Sequence, residues 1–198
     1  MRKYEFTGKE KTLENGTVLR QIKAVRSFEI VKNGDIGGWI EKESNLSHDG
    51  NAWVYGDARV YGDAQVYGDA RVYGDAQVYG DARVCGDARV YGDARVCGDA
   101  RVYGNAQVYE DAKIYGDARV CESARIVNTD QYMIIGPVGS RNDFTTFFKG
   151  KDGISVKCGC FTGNIQAFLK DVKETHGDGK HSKTYQAAAM LAKAQIGD

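Results

Sequence analysis

The chain has 198 residues, 25 of them Gly and one Pro, with 27 basic and 27 acidic side chains. That length bounds it to one domain or to a repeat array with small flanking units, and a formal charge of zero excludes the basic excess that a dedicated binder of nucleic acid polymers carries. With 42% hydrophobic residues it has enough material for a core, which excludes wholesale disorder.

The N-terminal stretch MRKYEFTGKE has no apolar signal-peptide core, and no apolar run in the chain approaches the length of a membrane span. The expectation is a cytoplasmic protein with no membrane partner. Five cysteines are an odd number in a chain with no export signal, so reduced thiols are expected in place of a disulfide framework. Residues 1–45 contain short strand-like runs, Tyr4 to Thr7 and Val18 to Phe28, before Gly34, Gly37 and Gly38 lead onward. They read as a small β cap.

From Val54 to Arg125 the chain is twelve consecutive hexapeptides of the form V-Y-G-D-A-R. The fifth position is always Ala and the first is Val except at Ile114; the Gly-Asp pair departs at Asn105, Glu110, Glu122 and Ser123. A hexad is not a whole number of helical turns, so a helix would scatter the valines over three faces. A strand period of two divides six, which puts Ala58 and Val60 on one side and Arg59 and Tyr61 on the other. Gly-Asp then turns the chain, Gly by its backbone freedom and Asp by bonding its own main chain. A meander of hairpins would set Tyr61 against Ala64 and Val60 against Gln65, mixing apolar and polar residues on both faces. Turning always the same way, three hexads close a triangular coil in which Val54 stacks under Val72, Val90 and Val108. The twelve hexads make four such coils, rising about 19 Å at ~4.8 Å per coil.

The V-Y-G-D-A-R repeats resemble the hexapeptide-repeat family, which implies a left-handed parallel β-helix and a homotrimer. Segments outside the hexads, KYEFTG at Lys3 to Gly8, GDIGGWIEKESNLS at Gly34 to Ser47 and IGPVGSRNDFTTFFKGKDGISVKCGC at Ile135 to Cys160, resemble those of hexapeptide-repeat proteins of bacteria and their phages. That resemblance brings no activity with it. The fold class expected is mainly β, with a β-helix over 46–126 between the cap of residues 1–45 and a C-terminal α+β domain over 127–198.

Beyond Ile126 three strand candidates, Tyr132 to Ile135, Phe144 to Phe148 and Ile154 to Cys160, are separated by Gly-containing turns. Two helices follow. Ile165, Phe168, Leu169 and Val172 have i, i+3, i+4, i+7 spacing, as do Ala187, Met190, Leu191 and Ala194, with His176 to Lys180 between them.

The family resemblance favours acyl transfer, which needs a general base. Residues 54–126 contain no His and no insertion, and His48 at the helix mouth reads as a hydrogen-bonded cap residue. No catalytic residue and no cofactor are assigned. Outward tyrosines form columns such as Tyr55-Tyr73-Tyr91-Tyr109 and Tyr61-Tyr79-Cys97-Tyr115 beside columns of Arg or Gln, a composition shared by protein interfaces and by solvated ladders. Residues 51–126 carry nine basic and twelve acidic side chains, which opposes a polyanion at long range. Corner columns such as Asp57-Asp75-Asp93-Asp111 lack the G-G-x-G-x-D spacing of calcium β-helices and read as turn chemistry.

In the C-terminal unit Cys158, Cys160, His176 and His181 offer four soft ligands within reach of zinc spacing, although Ile154, Val156, Cys158 and Cys160 on one strand face also read as core; no metal is assigned. The turn from Gly136 to Asn142 supplies backbone N–H groups and an Arg suited to a phosphate or carboxylate. The candidate ligand site is therefore Gly139, Ser140 and Arg141, with Lys149 and His181 adding charge. The resulting expectation is a non-enzymatic oligomeric scaffold that binds a partner or a small anion of nucleotide type, as a phage counter-defence protein sequestering an immune signal would. An acyltransferase with its base from His48 or a neighbouring chain, and a purely structural assembly protein, are the alternatives.

Overall fold

The computed structural model describes residues 2–197. Among these residues the chain begins with an antiparallel trio, β1 (Tyr4–Thr12), β2 (Val18–Ala24) and β3 (Ile36–Ile40), and continues with thirteen two-residue strands, β4 (Trp53–Val54) through β16 (Arg125–Ile126). A four-stranded meander follows, β17 (Tyr132–Val138), β18 (Asp143–Gly150), β19 (Gly153–Cys158) and β20 (Phe161–Asn164), and then α1 (Ile165–His176) and α2 (Lys180–Ile196). No described helix is long and apolar enough to cross a membrane.

The short strands stack as three parallel ladders. Val54 pairs under Val72, then Val90, Val108 and Ile126, each three hexads further along the chain, and every hexad Val and Ala is buried. This is the register that the hexad period predicts. There are five coils, not four, because Trp39 and Ile40 pair with Arg59 and Val60, and Leu46 bridges to Val66. The first coil thus spans the division at 45/46, with Ile40, Leu46 and Val54 on its three sides. Its rungs at Ile40 and Leu46 fall out of the three-hexad spacing, since the stretch from Leu46 to Val54 is longer than a hexad.

Corner glycines satisfy two constraints at once. Gly62, Gly80, Gly98 and Gly116 form one corner column with φ between 63° and 71°, and a Cβ on Gly80 or Gly98 would lie 3.0 Å from the backbone nitrogen of the glycine above. Glu110 and Glu122 adopt the same positive φ, at 52° and 57°, but they end their columns, where no further hexad stacks on the side chain. Only the conformational constraint applies to them.

Backbone hydrogen bonds run both ways along the coil. The N–H groups of outward residues donate one coil further on, as in Tyr55 to Val72 at 2.8 Å and Tyr73 to Val90 at 3.0 Å, while the parallel pairing of the inward valines returns bonds to the coil before, so each end of the stack presents carbonyls and N–H groups with no coil to meet. The two caps carry matching chemistry. At the N-terminal end the Lys3 side chain donates to Ala52 O at 2.8 Å and Gly50 O at 3.4 Å, and the Tyr4 hydroxyl reaches Glu43 O and Leu46 O at 3.0 Å. At the other end Thr129 Oγ1, the Tyr132 hydroxyl and Thr146 Oγ1 accept from the N–H groups of Lys113, Tyr115 and Arg119 at 3.1, 3.3 and 3.0 Å. Leaving such groups buried and unpaired would cost about 1–3 kcal/mol each.

The C-terminal sheet serves both sides by its period of two. Tyr132 and Phe148, paired across β17 and β18, pack on the end of the coil core, while Met133 and Phe147, the next pair, join the helix core. Helix α1 buries Ile165, Phe168 and Val172 as its spacing predicts. Helix α2 does not follow expectation: Ala187, Met190, Leu191 and Ala194 face outward, and Tyr185, Ala188, Ala189, Ala192 and Ile196 are buried. Small residues on that second face let the helix approach the sheet closely, so Tyr185 can pack edge-on to Phe168 with ring centroids 5.4 Å apart.

Candidate functional site

The β17–β18 hairpin places Gly139, Ser140 and Arg141 at its tip, against the loop joining β19 to β20 and the facing sides of α1 and α2. Gly139 has φ 74°, and the Tyr185 hydroxyl occupies the space where a Cβ would go. Asn142 also has a positive φ of 51°, closing the turn. The result is a cleft of about 190 Å³ lined by Ser140, Arg141, Cys158, Cys160, His176 and Tyr185, among others.

Arg141 Nη2 lies 3.6 Å from Cys160 Sγ, a hydrogen bond that pushes the guanidinium further above the usual arginine pKa. Cys158 Sγ sits 3.1 Å from Thr145 Oγ1 and 3.7 Å from the Tyr185 hydroxyl. Burial, reinforced by that thiol, pushes Tyr185 up to about 12, so it is a neutral donor at physiological pH. Among the described residues Arg141 forms no ion pair, and Asp171 is the one carboxylate in the lining. A cation, a hydroxyl and an imidazole converging beside two thiols suit a small anion.

The five residues singled out in the sequence do not all meet. Ser140 and Arg141 line the cleft, and Gly139 adjoins it under Tyr185. Lys149 is exposed at the far end of β18, opposite Ile154, about 20 Å from the Asp143 end at the rise of an extended strand. His181 stands behind His176, with ring centroids 5.6 Å apart, and it is His176 that reaches the cleft. Cys158, Cys160, His176 and Tyr185 are the members that sequence spacing did not gather around Arg141. Among the described residues no three His, Cys, Asp or Glu side chains come close enough together to hold a metal ion. Cys160 is exposed beyond the end of β19, contrary to its expected place among the core residues of that strand.

His48 is tied into the N-terminal cap. Its Nδ1 accepts the Lys3 backbone N–H at 3.1 Å and its ring stacks on Tyr4 at 4.3 Å. Burial holds the imidazole below its ordinary pKa, ahead of the opposing pull of Glu43. The neutral ring therefore carries its proton on Nε2 and offers a donor where a general base needs a lone pair.

The outward tyrosines stack as the columns predict on two faces. Tyr73, Tyr91 and Tyr109 are parallel at 4.8 and 4.9 Å, and Tyr61 lies 5.0 Å from Tyr79.

Three stacked ladders, corner Gly-Asp turns and a buried Val-Ala bore make this chain a hexapeptide-repeat β-helix protein. Residues 64–80, 76–92, 82–97 and 94–110 match the family model described as the YdcK beta solenoid repeat. A 62-residue stretch is 40% identical to the protein named "Uncharacterized acetyltransferase YdcK" of Escherichia coli (strain K12). That stretch covers 28% of this chain and 19% of that relative, so the chain matches about a fifth of the relative's length.

Proposed function

We propose that the protein is a non-enzymatic β-helix scaffold, assembled as a homotrimer, whose C-terminal unit holds a small anion in the Arg141 cleft. The observation that carries this reading is a guanidinium facing a thiol, with no carboxylate partner among the described residues, inside a cleft that also holds a neutral tyrosine hydroxyl. The volume suits a phosphate or carboxylate group, free or as the charged part of a larger molecule. Sequestration of a nucleotide signal in counter-defence is the biological form of this reading, supported by the resemblance of the flanks to phage proteins. Trimerisation is supported by the half-buried tyrosine columns, a surface composition enriched at interfaces.

Acyl transfer is the second reading, favoured by the name of the E. coli relative. The His48 tautomer opposes it unless a base comes from a neighbouring chain. Calorimetry with orthophosphate, cyclic dinucleotides and acetyl-CoA separates the two. The scaffold reading expects a bound anion, affinity lowered about 10- to 100-fold by Arg141→Ala, and an unchanged melting temperature. Turnover of acetyl-CoA, or anion binding indifferent to Arg141→Ala, overturns it.

A further inference from the structure

The column Tyr67-Cys85-Tyr103-Cys121 differs from the other outward columns. Where Tyr73, Tyr91 and Tyr109 stack at 4.8 and 4.9 Å no gap remains, but here cysteine alternates with tyrosine, and Cys85 leaves a notch between Tyr67 and Tyr103. That notch opens beside Arg83, Arg101 and Arg119, which pair in register on successive coils. Lys157, from β19 of the C-terminal sheet, completes the lining of a groove of about 270 Å³.

This alignment of charge is not imposed by the repeat. Gln77 separates Arg59 from Arg95, and Gln107 separates Arg89 from Arg125. Arg71, adjacent to Arg89, is paired with Glu29. Only the face carrying the notch stacks three arginines without interruption and then adds a lysine. Like charges directly opposed across a ladder are destabilising. Among the described residues Arg83, Arg101 and Lys157 form no ion pair, and Arg119 meets Asp143 at 3.7 Å. Lys157 Nζ donates to Thr162 Oγ1 at 3.0 Å, which fixes its position at the groove.

We infer that this groove is a second anion site, distinct from the Arg141 cleft, which takes a linear chain of condensed phosphates lying along the arginine ladder. Three guanidinium forks about 4.8 Å apart present donors in a row, and each matches phosphate oxygens bidentately. A compact orthophosphate spans one step of that row, whereas a triphosphate chain spans two. The tyrosines at either side of the notch add hydroxyl donors. The same chemistry comes from free tripolyphosphate or from the phosphate arm of a nucleotide.

The chain itself supplies a fold-neutral probe, because Gln occupies the Arg position in the hexads at Gln65, Gln77 and Gln107. Calorimetry of the full chain with tripolyphosphate, ATP and orthophosphate should give tripolyphosphate or ATP binding at least about tenfold tighter than orthophosphate. Arg101→Gln should weaken it at least about tenfold, whereas Arg95→Gln on another face should leave it unchanged, and the same contrast measured in an Arg141→Ala background reports this groove free of the other cleft. ATP binding more tightly than tripolyphosphate assigns the source to a nucleotide, and equal or weaker ATP binding to the phosphate chain alone. The inference is overturned by no tripolyphosphate or ATP binding at about 1 mM, by equal affinity for orthophosphate, by an Arg101→Gln protein that binds as the wild type does, or by equal losses in the Arg95→Gln control.

Discussion

The side-chain nitrogen of Lys3 lies 2.8 Å from the carbonyl oxygen of Ala52, and Lys3 is wholly withdrawn from solvent at the mouth of the coil. Burial, helped by Arg26 and opposed by Asp49 and Asp69, lowers its pKa from 10.5 to about 8. Below pH 8 both folded and unfolded chains hold the proton, and the fold bears the full cost of a buried charge. Between pH 8 and 10.5 the folded chain releases it while the unfolded chain keeps it, so stability rises across that window by at most about 3 kcal/mol. Above pH 10 the trend reverses, because tyrosines such as Tyr4, Tyr103 and Tyr132 are held protonated by burial. Chemical denaturation at pH 7.5, 8.5 and 9.5 should show the rise in wild type and a flatter profile in Lys3→Met. Identical profiles for the two proteins exclude this role for Lys3.

Val90 lies in the middle coil with no exposed surface. Val90→Asp places a carboxylate in a bore lined by Val and Ala and should cost at least about 3 kcal/mol. Tyr91, its neighbour, stacks between Tyr73 and Tyr109, so Tyr91→Ser should cost about 1 kcal/mol through the lost ring contacts. Urea titration of both variants reads the difference, and a Val90→Asp protein as stable as wild type contradicts the coil register.

Gly98 and Gly116 share a positive φ, at 68° and 63°, but only Gly98 carries another coil above it. Gly116→Ala should cost about 1–2 kcal/mol for the left-handed backbone alone. Gly98→Ala should cost distinctly more, since its Cβ would lie 3.0 Å from the nitrogen of Gly116. Glu110→Gly, by the same reasoning, should stabilise the chain by about 1 kcal/mol. Equal losses for Gly98→Ala and Gly116→Ala would show that space at the corner does not matter.

The hexads were legible because one period of six satisfies strand alternation, turn chemistry and stacking together. The first coil was harder to see, since the longer stretch between Leu46 and Val54 breaks that period. Helix α2 offers two stripes of helical spacing, and the choice between Met190 and Leu191 on one and Ala188, Ala189 and Ala192 on the other depends on how near the sheet lies. The cleft shows a similar limit: Arg141 and Cys160 lie on different turns of the chain, and only the pairing of β18 with β19 brings them together. Lys149 looks close to Arg141 along the sequence, but an extended strand carries it away.

Because the coil has three sides, its length is quantised with respect to the C-terminal unit. Adding or removing three hexads would lengthen or shorten the rod and return β19 to the same side of it. A change of one hexad would instead turn the whole C-terminal unit by a third of a revolution, carrying Lys157 away from the arginines it now extends. The repeat count thus acts as a dial that sets which ladder meets the C-terminal sheet, and the twelve hexads of this chain bring the uninterrupted one into alignment.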